Sequence, residues 1–171
     1  MQAKEWLRNE DTDCYQERVA RLEWLISKSP DQVTWLFHGG LLSKYLFEEA
    51  RYCFVYGQFL STIILGFSFI EHTLASLFYA AGQDKMERTR AIVLFRKALE
   101  QHLINKEEFN HLDRIREFRN PIVHFRRPGD EDRIEYKSVL QSEHPYDLLE
   151  EEAQFVMRII LRLLGKFSEI V

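Results

Sequence analysis

The sequence has little proline and glycine, with four and seven residues respectively among 171. Both residue types end helices or shape tight turns, so folds built from many short strands use them often. Their scarcity, together with 46% hydrophobic residues and thirteen Phe, predicts an all-α protein with a sizeable core. The length suits one domain. We expect an antiparallel bundle of about five to seven helices, with residues 1–40 as an N-terminal helical extension and 41–171 as the core.

Cysteine is scarce as well. Cys14 and Cys53 are the only two in the chain and have no CxxC spacing, so the sequence indicates neither a disulfide scaffold nor a thiolate metal site. Histidines and carboxylates show no convincing metal-ligand spacing either, and we expect no metal and no cofactor. No secretory leader is evident at the acidic N-terminus, which favours a cytoplasmic protein.

The chain lacks an overall positive charge. Its formal net charge is −4 and its pI is near 5.9, which argues against binding to nucleic acid or membrane through global charge. Positive charge is instead local, since residues 114–127 hold five arginines against one Glu. These arginines either follow an RNA backbone, with Arg116 and Arg126 as the best candidates, or form a solvated face that balances nearby acids. Phe118, Phe125 and Tyr136 are available for base stacking.

One hydrophobic run, residues 53–70, is nearly long enough to cross a bilayer. Gln58 interrupts it, and Glu71 and His72 follow directly. Charged groups are costly at bilayer depth, so we expect a buried central helix over about 58–81 and no membrane partner. A membrane-associated protein is the distant alternative.

Apolar residues at helical spacing predict further helices. A short turn is expected at 31–38, and residues 133–140 are ambiguous. The predicted helices cover about 13–28, 41–55, 86–103, a segment that begins after Asn105 and extends through residue 119, and 146–170.

The segment RNPIVHF, residues 119–125, combines a cation, an amide, a proline and an imidazole. On a helix, Arg119 falls on the apolar arc that Leu112 and Ile115 define. A guanidinium on that side needs a partner or a cleft, because an unpaired buried charge costs several kcal/mol. Glu71, the sole acid of the long apolar helix, is the expected partner. It either holds Arg119 in place or pairs with another base for stability alone.

Pro121 is predicted to break this helix. Proline removes a backbone donor and disfavours α conformation in the residue before it. Asn120 would then cap a new turn that starts at Pro121. In an unbroken helix Arg119 and His124 lie about 140° apart, so we expect the break to let them converge on one cleft, next to a helix N-terminus that suits a phosphate.

The stretch RIREFRNPIVHF resembles the arginine, polar residue, then histidine motif of HEPN domains. These are small all-α bundles that usually dimerise and include many endoribonucleases of toxin–antitoxin and phage-defence systems. Arg96 and His102 show a similar spacing, but Lys97 follows Arg96 in an ordinary helical run. Only the match at 119–124 has the family's Arg-Asn pair.

The resemblance implies a metal-independent endoribonuclease in which Arg119 stabilises the scissile phosphate, Asn120 orients it and His124 acts as acid and base. RNA is then the substrate, the protein is a homodimer, and an antitoxin or another protein is a further partner. Two alternatives stay open. One is a non-catalytic HEPN-like dimeric module that binds a partner protein or nucleotide. The other is purely structural: Asn120 caps a helix, Arg119 pairs with a core acid, and His124 is a satisfied imidazole.

Overall fold

Eight α-helices and a short 3₁₀ turn make up the regular structure in a computed structural model that describes residues 2–31, 34–86 and 89–168. No strand is found within these ranges, and the predicted all-α class is confirmed. The helices are α1 (Ala3–Asp13), α2 (Tyr15–Lys28), α3 (Gly40–Val55), α4 (Phe59–Ala80), α5 (Ala91–Glu100), α6 (Lys106–Val123), α7 (Ile134–Gln141) and α8 (Pro145–Ser168), with the 3₁₀ turn at Asp84–Met86.

Most predicted helices lie within a few residues of their observed positions. The largest shift concerns α5, which begins at Ala91 where the periodicity predicts a start near residue 86. The ambiguous segment 133–140 is helical and forms α7. The sequence patterns did not predict α1 as a separate helix, because it has few apolar residues and none of its residues is buried. Of the short turn expected at 31–38, residues 32 and 33 lie outside the described residues.

The central element is α4, which packs against α3, α5, α6 and α8. Its buried face recurs at helical spacing and continues into the core of the bundle. The face includes Ile63, Phe67, Ile70, Leu74 and Phe78, each at most 1% exposed. The hydrophobic effect on this face is the main force that assembles the bundle.

Among the described residues, α4 is the one helix long and apolar enough to cross a membrane. Its most apolar 18-residue window is 44% buried inside the protein. A core helix of a soluble protein passes the same test of length and composition, and the structure is compatible with such a protein.

One of the segments that attach the first 40 residues to the bundle is α2. Arg21, only 7% exposed, donates from Nε to Glu150 on α8 at 2.9 Å and from Nη2 to Glu17 at 3.0 Å. Its guanidinium also lies 5.0 Å from the ring centroid of Phe59. A buried charge needs partners of this kind, so α2 has one defined place on the bundle.

Both ends of α6 are well defined. At its start, the Asn105 side chain accepts from the Glu108 N–H at 2.9 Å, and the Glu108 carboxylate accepts from the Asn105 N–H at 2.7 Å. This reciprocal pair is a capping box. Leu112 and Ile115 are fully buried in the middle of the helix. The helix therefore presents residues 119–123 as its last turn.

Candidate functional site

The motif lies at the C-terminal end of α6. The predicted break at Pro121 is wrong, because α6 continues through this proline to Val123. The His124 N–H donates to the Asn120 carbonyl at 2.9 Å, so the α-helical pattern extends across the proline. Asn120 is therefore inside the helix and caps nothing, and no new helix N-terminus is formed there. The chain leaves the helix at His124, which has extended backbone angles of φ −122° and ψ 127°.

Arg119 points toward the bundle, as its place on the helix predicts. Its guanidinium carbon lies 4.6 Å from the ring centroid of Phe67, a residue that is 1% exposed. Nη2 lies 4.0 Å from the Glu71 carboxylate, which is longer than a hydrogen bond. The buried Nε has no acceptor within the described part of the chain. Arg119 is thus held by a ring face and a loose ion pair, and keeps an unused donor.

Glu71 is the predicted partner of Arg119, and the structure confirms this contact. Burial raises the pKa of the Glu71 carboxyl above its ordinary value, while the positive charge of Arg119 acts in the opposite direction. The net rise shows that Arg119 compensates only part of the cost of placing a carboxylate there. Glu71 also faces a small cavity of about 240 Å³ that Ser68 and His72 line.

The side chains of Asn120 and His124 have no polar partner in the described part of the protein. Neither makes a side-chain hydrogen bond or an ion pair with any described residue. Asn120 is half-buried and His124 is exposed. Both side chains are therefore accessible from solvent. The structural interpretation of Asn120 as a helix cap is excluded, because Asn120 lies inside α6.

His124 lies on a groove between the end of α6 and the start of α7. The groove encloses about 410 Å³. Apolar residues form much of its wall, and Arg126, Asp132, Arg133 and Glu135 contribute charged groups. The apolar lining comprises Leu60, Phe118, Pro121, Ile122, Val123, Phe125, Ile134 and Leu149.

One protomer does not bring Arg119 and His124 to a common cleft. His124 lines the groove, whereas Arg119 is absent from its lining and rests against Phe67 and Glu71 on α4. The predicted convergence depended on a break at Pro121, and the continuous helix removes it. Because α6 continues past the proline, the change of direction comes only at His124. The Arg119 side chain remains partly accessible, with 23% of its surface exposed.

Most arginines around the motif are already neutralised. Arg116 pairs with Asp113 at 2.6 Å and with Glu117 at 3.4 Å, and Arg126 pairs with Asp132 at 3.4 Å. Arg114 reaches Glu152 on α8 at 2.7 Å. The arrangement matches the solvated face that balances local acids. Among described residues from 114 to 127, Arg127 is the one arginine without an ion pair.

Sequence reasoning missed two neighbours of the motif. Phe67 supports Arg119, but α4 is so rich in aromatic residues that no pattern singles it out. Arg133 donates to the carbonyl of Arg126 at 3.3 Å and pairs with Glu135, which lowers the pKa of Glu135 to about 2. The segment RRPGDED marks a loop in the sequence, but it does not reveal that Arg133, the next residue, donates back to the Arg126 carbonyl.

No group of three or more His, Cys, Asp or Glu side chains in the described ranges is close enough together to hold a metal ion. Comparison with known proteins adds no assignment, since no family model, curated protein or solved structure matches the chain. The HEPN resemblance therefore stays a prediction from the motif, and the site is defined by its geometry.

Proposed function

We propose that the protein is a metal-independent endoribonuclease of HEPN type that acts as a homodimer through Arg119, Asn120 and His124. One observation carries this proposal: each residue of the motif keeps polar atoms that have no hydrogen-bond partner within the described protein. His124 and Asn120 form no side-chain hydrogen bond in the described structure, and Arg119 has a buried Nε without an acceptor. An unpaired buried donor such as Arg119 Nε costs stability, and the half-buried Asn120 and exposed His124 side chains are accessible to a substrate phosphate or hydroxyl.

The chemistry follows from the groups that the motif supplies. A neutral imidazole accepts a proton near pH 7, so His124 takes the proton of a 2′-OH. The 2′ oxygen attacks the adjacent phosphorus, and the bond from phosphorus to the 5′ oxygen breaks. The leaving 5′ oxygen receives a proton, which gives a 5′-OH and a 2′,3′-cyclic phosphate. The Arg119 guanidinium stabilises the charge that accumulates on the phosphoryl oxygens, and Asn120 orients them.

A second copy of the chain has a defined role in this proposal. Arg119 and His124 of one protomer lie in different surroundings, so one chain alone does not supply both groups to one phosphate. The HEPN resemblance implies that the motifs of two chains meet at a dimer interface. The exposed position of His124 and the partial exposure of Arg119 leave both groups accessible to such an interface.

The test is cleavage of labelled single-stranded and structured RNA in EDTA. Wild type should release fragments that end in a 2′,3′-cyclic phosphate, and His124→Asn should lower the rate by about 10²- to 10⁴-fold because it removes the acid–base group. His102→Asn is the matched control. His102 follows an arginine at nearly the same spacing and has a φ of 57°, which asparagine tolerates. Equal rates for His124→Asn and wild type would refute the proposed role.

A non-catalytic module that binds a partner protein or nucleotide is the second candidate. The neutralised arginines favour its protein-binding form, because Arg116 and Arg126 already have carboxylate partners at 2.6 and 3.4 Å and are less available for phosphates. Wild-type protein that is folded and dimeric but cleaves none of the RNAs would support this candidate over the nuclease.

The cellular role that we propose follows from the family resemblance alone. The protein would be a cytoplasmic toxin or phage-defence effector, and an antitoxin or other protein partner would restrain it. Co-expression with neighbouring genes tests this role, because a restraining partner should relieve toxicity that wild type causes and His124→Asn does not.

A further inference from the structure

The most exposed large hydrophobic side chain in the described structure lies beside the motif. Phe125 is 84% exposed and directly follows His124 at the edge of the 410 Å³ groove. Val123 and Leu60, at 37% and 47% exposed, also line this groove. Single exposed apolar residues are common on proteins, but here three of them border one concave surface next to an unpaired imidazole.

The loop that presents Phe125 is fixed by its own hydrogen bonds. Arg126 donates to the Phe125 carbonyl at 3.5 Å, and Arg133 donates to the Arg126 carbonyl at 3.3 Å. The Arg133 N–H donates to the Asp130 carbonyl at 3.1 Å. All three bonds are accepted by backbone carbonyls. The Phe125 ring makes no ring contact with a described residue, and it lies outside the core.

The other two aromatic candidates are less available. The half-buried Phe118 is covered by Lys137, whose ammonium lies 4.8 Å from the ring centroid. Tyr136 is only 40% exposed and does not line the groove. Phe125 is therefore the aromatic ring that offers a free face at this site.

We propose that the groove beside His124 binds one unpaired nucleobase, stacked on the face of Phe125, so that the protein selects RNA in which this base is unpaired. This inference rests on the proposed function, because it assigns the substrate class of the same site. In a nucleotide the base and the 2′-OH sit on adjacent sugar carbons. A histidine that reaches the 2′-OH therefore lies beside the place where the base must go.

The chemistry of the groove fits a base better than it fits a phosphate. Its arginines are paired with Asp132 and Glu135, so the lining is close to electrically neutral. The carboxylates and guanidiniums present both acceptors and donors to the polar edge of a base, while the apolar wall and the ring suit its flat faces. A volume of about 410 Å³ lies in the usual range for small-ligand sites. A paired base stays inside its duplex and does not enter the groove.

The test uses a single-stranded octamer with 2′-fluoro sugars and one 2-aminopurine, whose fluorescence falls when the base stacks. This probe cannot be cleaved, since it has no 2′-OH. Phe125→Ala should bind it roughly 5- to 150-fold more weakly than wild type and should abolish the quenching. Phe125→Tyr, which retains the ring, should restore both. The matched control is Tyr79→Ala, which removes an aromatic residue 58% exposed at the far end of α4. Thermal denaturation should show all variants folded, because both rings are exposed.

Three results would overturn the assignment. They are equal affinity of Phe125→Ala and wild type, equal affinity of wild type for the octamer and its duplex, and a change of oligomeric state in Phe125→Ala with RNA affinity unchanged. The last would assign Phe125 to a contact between protein chains. Because the probe is inert, absence of RNA cleavage would defeat the proposed nuclease while the binding result stays readable.

Discussion

Glu71 places a carboxylate in the most apolar helix of the protein. The sequence predicted its contact with Arg119 correctly, because a lone acid in an apolar helix needs a cation. The sequence did not predict Phe67, which holds the guanidinium at 4.6 Å. A cation–π contact depends on how two helices meet in space, and no residue pattern encodes that.

The raised pKa of Glu71 has a consequence for stability. Between its ordinary value of 4.5 and its higher value in the folded protein, the native state binds more protons than the unfolded state. The free energy of unfolding therefore contains a contribution that falls as pH rises through this window. Glu71→Gln removes that contribution. We expect the variant to gain stability relative to wild type as pH rises above about 4.5, up to the folded pKa, and then to keep a constant difference.

Urea denaturation at a series of pH values measures this effect. Glu151→Gln is the control for the loss of a surface carboxylate, because Glu151 is exposed on α8. A difference for Glu71→Gln that is flat or shrinks between pH 4.5 and 7 would contradict the assignment of a raised pKa.

At the level of the helix, α6 shows how far local patterns reach. Its start was predictable from Asn105 and the acids that follow, and the capping box confirms it. Its C-terminal end, beyond Pro121, was not predictable from the sequence. Proline usually interrupts helices, yet α6 continues through Pro121, and Phe118 and Ile122 on either side of it pack against the core. Tertiary packing outweighed local propensity here.

The N-terminal cap of α6 should contribute measurably to stability. Asn105→Ala removes the acceptor for the Glu108 N–H, and we expect a loss of about 1 kcal/mol in the free energy of unfolding. Asn110→Ala is the matched control, since Asn110 is exposed within the same helix and alanine is a better helix former. Chemical denaturation of both variants measures their free energies of unfolding. Equal stability of the two would show that the capping box contributes nothing.

Across the whole molecule, long-range contacts set the features that sequence reading missed. Arg114 contributes to the local positive excess, yet it pairs with Glu152, 38 residues away. Counting charges along the chain cannot detect such a pair, because it exists only once α6 and α8 are packed in the same bundle. For the same reason the sequence identified the residues of the motif but not the different surroundings of Arg119 and His124.

Gly66 lies where α4 packs closely against α8. A Cβ on Gly66 would lie 2.5 Å from Val156 Cγ1 and 2.7 Å from Ile160 Cδ1. Gly66→Ala should therefore destabilise the protein by about 1–3 kcal/mol through overpacking, despite a gain of up to about 1 kcal/mol in helix propensity.

A double variant separates the clash from other causes. In a Val156→Ala background the Cβ meets less obstruction, so the cost of Gly66→Ala measured by denaturation should be smaller than in wild type. If the two substitutions were additive, the close approach of Gly66 to Val156 would not be the cause.

Because α4 packs against α8, part of its apolar face has no partner until the C-terminal helix is synthesised. The ribosome delivers residues 59–80 well before residues 145–168, so the apolar stripe of α4 emerges while the helix that covers part of it is still unmade. Until the C-terminal segment is synthesised, the nascent chain exposes apolar surface, which chaperones bind and which promotes aggregation. A chain truncated between residues 80 and 145 would therefore be an aggregation-prone fragment rather than a smaller folded protein.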